Sequence, residues 1–308
     1  MTSHFAEVDI KSQQGIEGVD FTAPGKLALA NLNMDSVLAE STEISLWELS
    51  NYSAVEWWLT EYKPKSDATN LEKVRGYLEA FHHLCEVEAW EEAREILFIR
   101  LDTPTTEELR SQLFTWGYYQ EQVKLCNSLL GKLSPKLDAI LLGNLGNLHT
   151  VLGSYVIAID YYQQSLSIAS AIGNRQIQGL YLNDLGMAYS ALGYNYKTIE
   201  LCQQSLAITQ EVQERVGEIN AATSLGIAYS FIGQYDKAID YYFQSLLIAQ
   251  HIKDKHGEHT ALANLAAVYY SLKSYAKAID YYKQCLVIVQ KIQYRQVEGS
   301  TLGNLGLI

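Results

Sequence analysis

Leu145, Leu185, Leu225, Leu265 and Leu305 stand 40 residues apart in a chain of 308. In register with them run Gly146, Gly186, Gly226 and Gly306, with Ala266 in the fourth copy. Two further columns share the spacing: Ile159, Ile199, Ile239 and Ile279, and Leu166, Leu206, Leu246 and Leu286. Several columns in one register exclude chance. A period of about 20–50 residues means one supersecondary unit that buries its apolar face only by stacking on its own copies.

Each unit reads as two helices. In the first, AILLGNLGNLHTVL (139–152), apolar residues fall at helical spacing, and Gly153, with Gly193 and Gly233 in the next two copies, supplies the stop. The second, from Tyr155 to about Ile172, lines up Ala158, Ile159, Tyr162, Leu166 and Ile168 as an apolar stripe. All four prolines (Pro24, Pro64, Pro104, Pro135) lie before residue 136, so the repeat region carries no residue that would break a helix. Small residues recur where the paired helices should cross: Gly146, Ala158 and Ser165 in the first copy, Gly226, Ala238 and Ser245 in the third. Without bulk at these points, two backbones can approach while Leu145 and Tyr162 fill the adjoining space.

The string Leu225, Gly226, Tyr229, Gly233, Tyr235, Ala238, Tyr242 and Ser245 resembles the tetratricopeptide repeat. The 40-residue period and the LGNLG string are similar to the longer variety in Leu-Gly-Asn-repeat G-protein modulators, kinesin light chains and bacterial multi-repeat proteins. The resemblance covers residues 139–308, as four repeats (139–178, 179–218, 219–258, 259–298) and a truncated fifth. It implies an all-α, right-handed α-α superhelix. The second repeat departs from the pattern at Asn195, Thr198 and Cys202, which predicts looser packing there.

Upstream, residues 53–138 read as divergent pairs of the same kind, running into the regular array without a flexible linker. Over 70–101, Trp90, Ala93 and Leu97 occupy the Tyr, Ala and aromatic columns; over 105–133, Gly117 and Tyr119 match the turn. Ser53 with Glu56, Thr69 with Glu72 and Thr105 with Glu108 have capping-box spacing and predict three helix starts. Residues 1–52 form an acidic extension, and 1–40, polar and without periodicity, are expected to be disordered or loosely attached.

Charge is distributed as unevenly as the repeats. The chain totals -12, but residues 1–138 carry 12 basic and 23 acidic groups against 11 and 12 in 139–308. The repeats are therefore nearly neutral, and no clustered basic excess exists to neutralise phosphates, which argues against nucleic acid. Apolar runs are broken well before the roughly 20 residues of a membrane span, and the opening MTSHFAEVDI has no apolar core of a secretory signal. Cys85, Cys126, Cys202 and Cys285 are too widely spaced for a disulfide framework or a zinc site, so a reduced, cytoplasmic setting is expected.

Catalytic chemistry has little foothold. Gly143 and Gly146 lie inside a helix without a preceding strand, and no phosphate-binding loop motif occurs. His82 and Cys85 could supply two metal ligands beside His83, but no second pair is evident. His149 stands in the column of Tyr189, Tyr229 and Tyr269 and reads as a packed or hydrogen-bonded side chain. Asp160, Glu200, Asp240 and Asp280 follow three residues after, respectively, Ile157, Lys197, Lys237 and Lys277, and the last three pairs read as exposed ion pairs. No enzyme, metal or cofactor is expected.

Binding has a better foothold. The resemblance implies a concave groove lined by the first helices, where the residue before Leu-Gly hydrogen-bonds the backbone of a peptide. Those positions are Asn144, Asp184, Ser224, Asn264 and Asn304, and an amide both donates and accepts as a peptide unit requires. Asn147, Asn183, Met187, Ile227, Phe231 and Tyr270 are their neighbours; the competing reading is that the Asn residues bond only within the helix layer. The segments 139–152, 179–192, 219–232 and 259–272 contain no Lys or Arg, so a basic clamp for a C-terminal carboxylate is missing and a neutral or mixed apolar-polar ligand is expected.

The last residues, STLGNLGLI (300–308), stop partway through a fifth first-helix and would leave an apolar face open. A longer array, or self-association through that end, would cover it. The chain thus reads as a protein-interaction scaffold binding a peptide segment or a partner helix. The alternative is the sensor or regulatory region of a larger bacterial signalling switch linked to an ATPase or a peptidase.

Overall fold

A computed structural model describes residues 44–103, 106–292 and 295–307, together with Leu29 and Leu32. The extension expected to be disordered over 1–40 otherwise falls outside the described residues. Among them, fifteen helices follow one another, and the only extended pairing is an isolated bridge between Arg100 and Glu108. They fall into two compact units, Met1–Leu133 and Ser134–Ile308.

The first unit holds α1 (Leu46–Thr60), α2 (Asn70–Lys73), α3 (Arg75–Glu86), α4 (Trp90–Leu97), α5 (Leu109–Thr115) and α6 (Tyr119–Leu129). Of the three expected capping boxes, Thr69 with Glu72 is present at α2. Ser53 with Glu56 is not a cap. The earlier Ser45 and Glu48 have the same spacing and form the box, so α1 starts at Leu46 and runs through the 52/53 boundary. Thr105 lies outside the described residues, and α5 starts at Leu109 with Glu108 as its N-cap residue, so Glu108 is not the third residue of this helix as a capping box with Thr105 would require. Gly117, at φ 82°, makes the turn between α5 and α6.

The second unit is built from hairpins of nearly constant length. They are α7 (Pro135–Val151) with α8 (Tyr155–Ala171), α9 (Arg175–Ala191) with α10 (Asn195–Glu211), α11 (Arg215–Phe231) with α12 (Tyr235–Ile252), α13 (Lys255–Ser271) with α14 (Tyr275–Lys291), and α15 (Arg295–Gly306). Within this unit consecutive helices pack on one another from α7 to α15, and the first helices α7, α9 and α11 also touch the next first helix in line, which makes this unit a paired-helix solenoid.

First helices begin about four residues earlier than the apolar pattern indicates, because Ser134, Asn174, Glu214 and Asp254 each cap the N-terminus with a side-chain oxygen. Gly153, Gly193 and Gly233 end α7, α9 and α11 at φ 72°, 85° and 76°, a left-handed conformation that glycine adopts without a Cβ penalty. Lys273 performs the same turn after α13 at φ 60°.

The crossings are as tight as the small residues imply. A Cβ added at Gly146 would lie 2.5 Å from the Tyr162 ring, and one at Gly226 would lie 2.4 Å from Tyr242. Ala158, Ala238 and Ala278 are fully buried. Ala238→Leu is therefore expected to overpack the α11–α12 crossing and destabilise the protein by about 1–3 kcal/mol, read as a lowered melting temperature.

The small column at 165 has a polar function as well as a steric one. Ser165 Oγ donates to Ala139 O at 2.6 Å and Ser205 Oγ to Gly179 O at 2.7 Å, fastening each second helix to its first. The second repeat is not looser than the others, contrary to the sequence expectation. Thr198 and Cys202 are fully buried, Thr198 Oγ1 donates to Gly186 O at 2.8 Å, and the Cys202 thiol lies 3.8 Å from Asn183 Oδ1.

Candidate functional site

The residue before each Leu-Gly pair stands about 100° round its helix from a buried leucine. Leu145, Leu225 and Leu265 are fully buried, and that rotation leaves Asn144, Asp184 and Asn264 partly exposed, whereas Ser224 is itself buried. Asn264 lines an open cleft of about 290 Å³ between α11 and α13, with Ile227, Phe231, Ala267, Val268 and Ser271 around it. Tyr242 lines the same cleft, its hydroxyl 3.5 Å from Ser230 Oγ, and Phe231 is 69% exposed at the rim.

Of the predicted site residues, this cleft brings Phe231 and Asn264 together. Asn144 and Asp184 hold the same register on α7 and α9, and Asn304 is exposed on α15. Two others are engaged internally: Asn147 Oδ1 accepts the Tyr162 hydroxyl at 2.6 Å, and Asn183 is buried beside Cys202. Tyr270 pairs its ring with Tyr275 at 5.7 Å and does not line the cleft. Ser230, Tyr235 and Ser271, which the sequence reading passed over, do line it. For two of them the signal was helical spacing, since Ser230 and Ser271 lie three and seven residues on from Ile227 and Asn264.

The electrostatics of the groove centre on Asp184. It is half-buried, and burial pushes its carboxyl up to about 6 against one weak hydrogen bond from Asn183 Nδ2 at 3.5 Å. Asn144 Nδ2, one repeat earlier, is buried with no hydrogen-bond partner. The first helices do contain basic residues once their true starts are counted, which corrects the expectation drawn from 179–192, 219–232 and 259–272. Arg175, Arg215 and Lys255 sit in the opening turns, paired with Glu211 at 2.6 Å, with Glu218 at 2.8 Å, and with Glu258. None of the three is left unpaired.

Outside the groove, Lys197 pairs with Glu200 at 2.9 Å as expected, but Lys237 and Lys277 do not follow it. They lie 5.0 and 4.9 Å from the ring centres of Tyr229 and Tyr269. Those rings stack on Tyr241 and Tyr281 at 5.5 Å and offer their other face to the ammonium, whereas the second repeat has Leu201 at the stacking position. His149 takes the tyrosine role in the first repeat, stacked on Tyr161 at 5.4 Å, with its Nδ1 buried and unbonded.

Burial pushes the thiols of Cys85, Cys126 and Cys202 up to about 12, which keeps them protonated and poor nucleophiles. His83 Nδ1 lies 2.9 Å from Asn51 Oδ1, which occupies one of the ring nitrogens considered for a metal. Among the described residues, no group of three or more His, Cys, Asp or Glu side chains converges, and no helix is long and apolar enough to cross a membrane.

Known proteins supply the remaining context. Two family models described as tetratricopeptide repeat match residues 181–251 and 260–292. No curated protein sequence matches the chain. Among solved structures, it is similar to a signal transduction ATPase with numerous domains that carries a tetratricopeptide repeat sensor, from Pyrococcus horikoshii. That match has a TM-score of 0.58 at 17% identity and covers 86% of this chain and 44% of that one, so the chain spans less than half of that relative's length. It is also similar to aspartyl phosphate phosphatase F from Bacillus subtilis (TM-score 0.56, 14% identity, 92% of this chain and 80% of that). A third is a Rap protein complexed with competence and sporulation factor (TM-score 0.53, 15% identity, 92% and 70%). At such identities the likeness is one of fold. Repeat register, helix-pair packing and the two model matches agree that residues 181–251 and 260–292 are tetratricopeptide repeats, set in a solenoid of like helix pairs.

Proposed function

We propose that the chain is a non-catalytic interaction scaffold that takes a peptide segment of a partner protein along the inner face of α7, α9, α11 and α13. The observation that carries this reading is the cleft between α11 and α13. An exposed aromatic side chain, apolar walls and one amide, Asn264, are what a bound segment needs to seat a side chain and hold its backbone. The register of Asn144, Asp184 and Asn304 extends the same polar line along the first helices. A reducing cytoplasmic setting fits four free cysteines, three of them fully buried.

Panning a displayed random nonapeptide library on the purified full chain tests this. Selected peptides should lose at least about tenfold in affinity when Asn144→Ala is combined with Asn264→Ala, and again when Ala267→Trp fills the cleft, with helical content unchanged. A library that yields no binder, or binders indifferent to both changes, would sink the reading.

A second reading has its own support. The archaeal ATPase that the chain resembles carries its repeats as a sensor, and the Rap structure holds a bound factor. On this reading the repeats bind a signal and release a linked ATPase or peptidase. Finding such a domain in the same natural reading frame would favour it over a free-standing scaffold.

A further inference from the structure

We infer that Asp184 is where the groove takes a cationic side chain, so that the bound segment carries a Lys or Arg a few residues away from an apolar residue seated in the Phe231 cleft. This rests on the groove reading proposed above and names the chemistry of its ligand. Three observations lead to it.

The first is position. Asn264 lines the open cleft, and Asp184 occupies the equivalent register on α9, two repeats earlier, and keeps part of its surface exposed. The second is an unmet need. A carboxylate can accept several hydrogen bonds, yet Asp184 receives only one, at 3.5 Å, and among the described residues no Lys, Arg or His lies within ion-pair distance of it. An unpartnered carboxylate in this setting is costly, and its raised pKa records that cost.

The third is that, among the described residues near Asp184, none supplies the cation. The titratable groups near Asp184 are Tyr162 on α8 and Cys202 on α10, both pushed upward by burial and both neutral at pH 7. Its register neighbours are the neutral Asn144 on α7 and Ser224 on α11. The basic residues that open α9, α11 and α13 are occupied by Glu211, Glu218 and Glu258. A partner cation must therefore arrive with the ligand. It would restore the carboxylate's lost solvation through charge-assisted hydrogen bonds, while the fully neutral positions at 144, 224 and 264 would confine that recognition to one point of the groove.

Spacing narrows the ligand further. Adjacent packed helices lie roughly 8–10 Å apart, so Asp184 and the cleft are separated by on the order of 15 Å, or four to five residues of extended chain. The neutral or mixed apolar-polar ligand expected from the sequence becomes a singly basic one.

Two pools of fluorescein-labelled nonapeptides test the inference on the full chain. One carries Arg four or five residues from Leu, in both orders, with Ala, Gly and Ser elsewhere; the other replaces Arg by its neutral isostere citrulline. Fluorescence anisotropy should show the Arg pool binding about tenfold tighter, a preference that weakens with salt and that Asp184→Asn removes. Circular dichroism of the Asp184→Asn protein confirms that it folds. Equal binding of both pools to the wild type, or a preference that survives Asp184→Asn, overturns the inference. If both pools bind equally and Ala267→Trp weakens both, the groove reading stands and only the role of Asp184 falls. If neither pool binds, both fall.

Discussion

Gly143→Thr is expected to destabilise the second unit by about 2–3 kcal/mol, although it puts a side chain where the third repeat already carries one. The reason is a volume exchange between neighbouring repeats. A Cβ at Gly143 would lie 1.9 Å from the Tyr181 ring, which is almost wholly buried and donates its hydroxyl to Ile140 O at 3.2 Å. The ring thus fills the space that a side chain at 143 would need, and it cannot swing away without giving up that hydrogen bond. At the next junctions the sizes are reversed: Asn183 is followed by Ala221, and Thr223 by Ala261. Tyr181→Ala alone should cost about 3 kcal/mol by leaving a cavity. Gly143→Thr combined with Tyr181→Ala reproduces the Thr-Ala junction and should be at least about 2 kcal/mol more stable than the two single effects added together. Urea unfolding of the four proteins, followed by circular dichroism, measures this coupling. Simple additivity would show that the two positions do not share one space.

Asp184→Asn is expected to stabilise the protein at neutral pH, by about 2 kcal/mol, and this gain should fade on acidification. The folded-state pKa of Asp184 is raised from the ordinary aspartate value to about 6. A group with a raised folded pKa binds its proton more tightly in the native state than in the unfolded chain. The stability linked to protonation is therefore fully present below the unfolded value near pH 4 and is lost as pH rises through about 6. Above pH 7 the wild type bears the whole cost of the buried charge, which the asparagine variant lacks; near pH 4 the two should converge. Melting curves at pH 4, 5, 6 and 7.5 decide the point. A difference that is constant across this range would mean that burial does not shift the titration of Asp184.

The two predictions mark where sequence reading reached and where it stopped. The 40-residue columns identify two helices per unit and the small residues at their crossing, because periodicity and steric size are local properties that repeat in every copy. Gly146 against Tyr162 was legible in this way, lying within one hairpin. Gly143 against Tyr181 was not, since it joins different columns across a repeat boundary. Helix starts were read about four residues late for a related reason: caps such as Asn174 and Glu214 are polar residues outside the apolar pattern.

The candidate site was legible as a register and not as a list. Asn264, Asp184 and Asn144 were named because each stands just before the leucine of the repeat, the position the resemblance implies for peptide contact. Asn147 and Asn183 have the same chemistry, but they are directed at Tyr162 and Cys202 of the second helices. Lys237 and Lys277 likewise had the spacing for ion pairs, yet stacked tyrosine rings on the neighbouring helix captured them.

By itself, then, the sequence determined the all-α repeat architecture, the hairpin unit and the near-neutral inner surface, all of which follow from the period, the helix stops and the charge count along the chain. Only the tertiary structure decided which polar side chains are spent inside the fold and which face an open cleft. That outcome depends on which atoms of neighbouring helices come within hydrogen-bonding distance, and a one-dimensional register does not contain those distances.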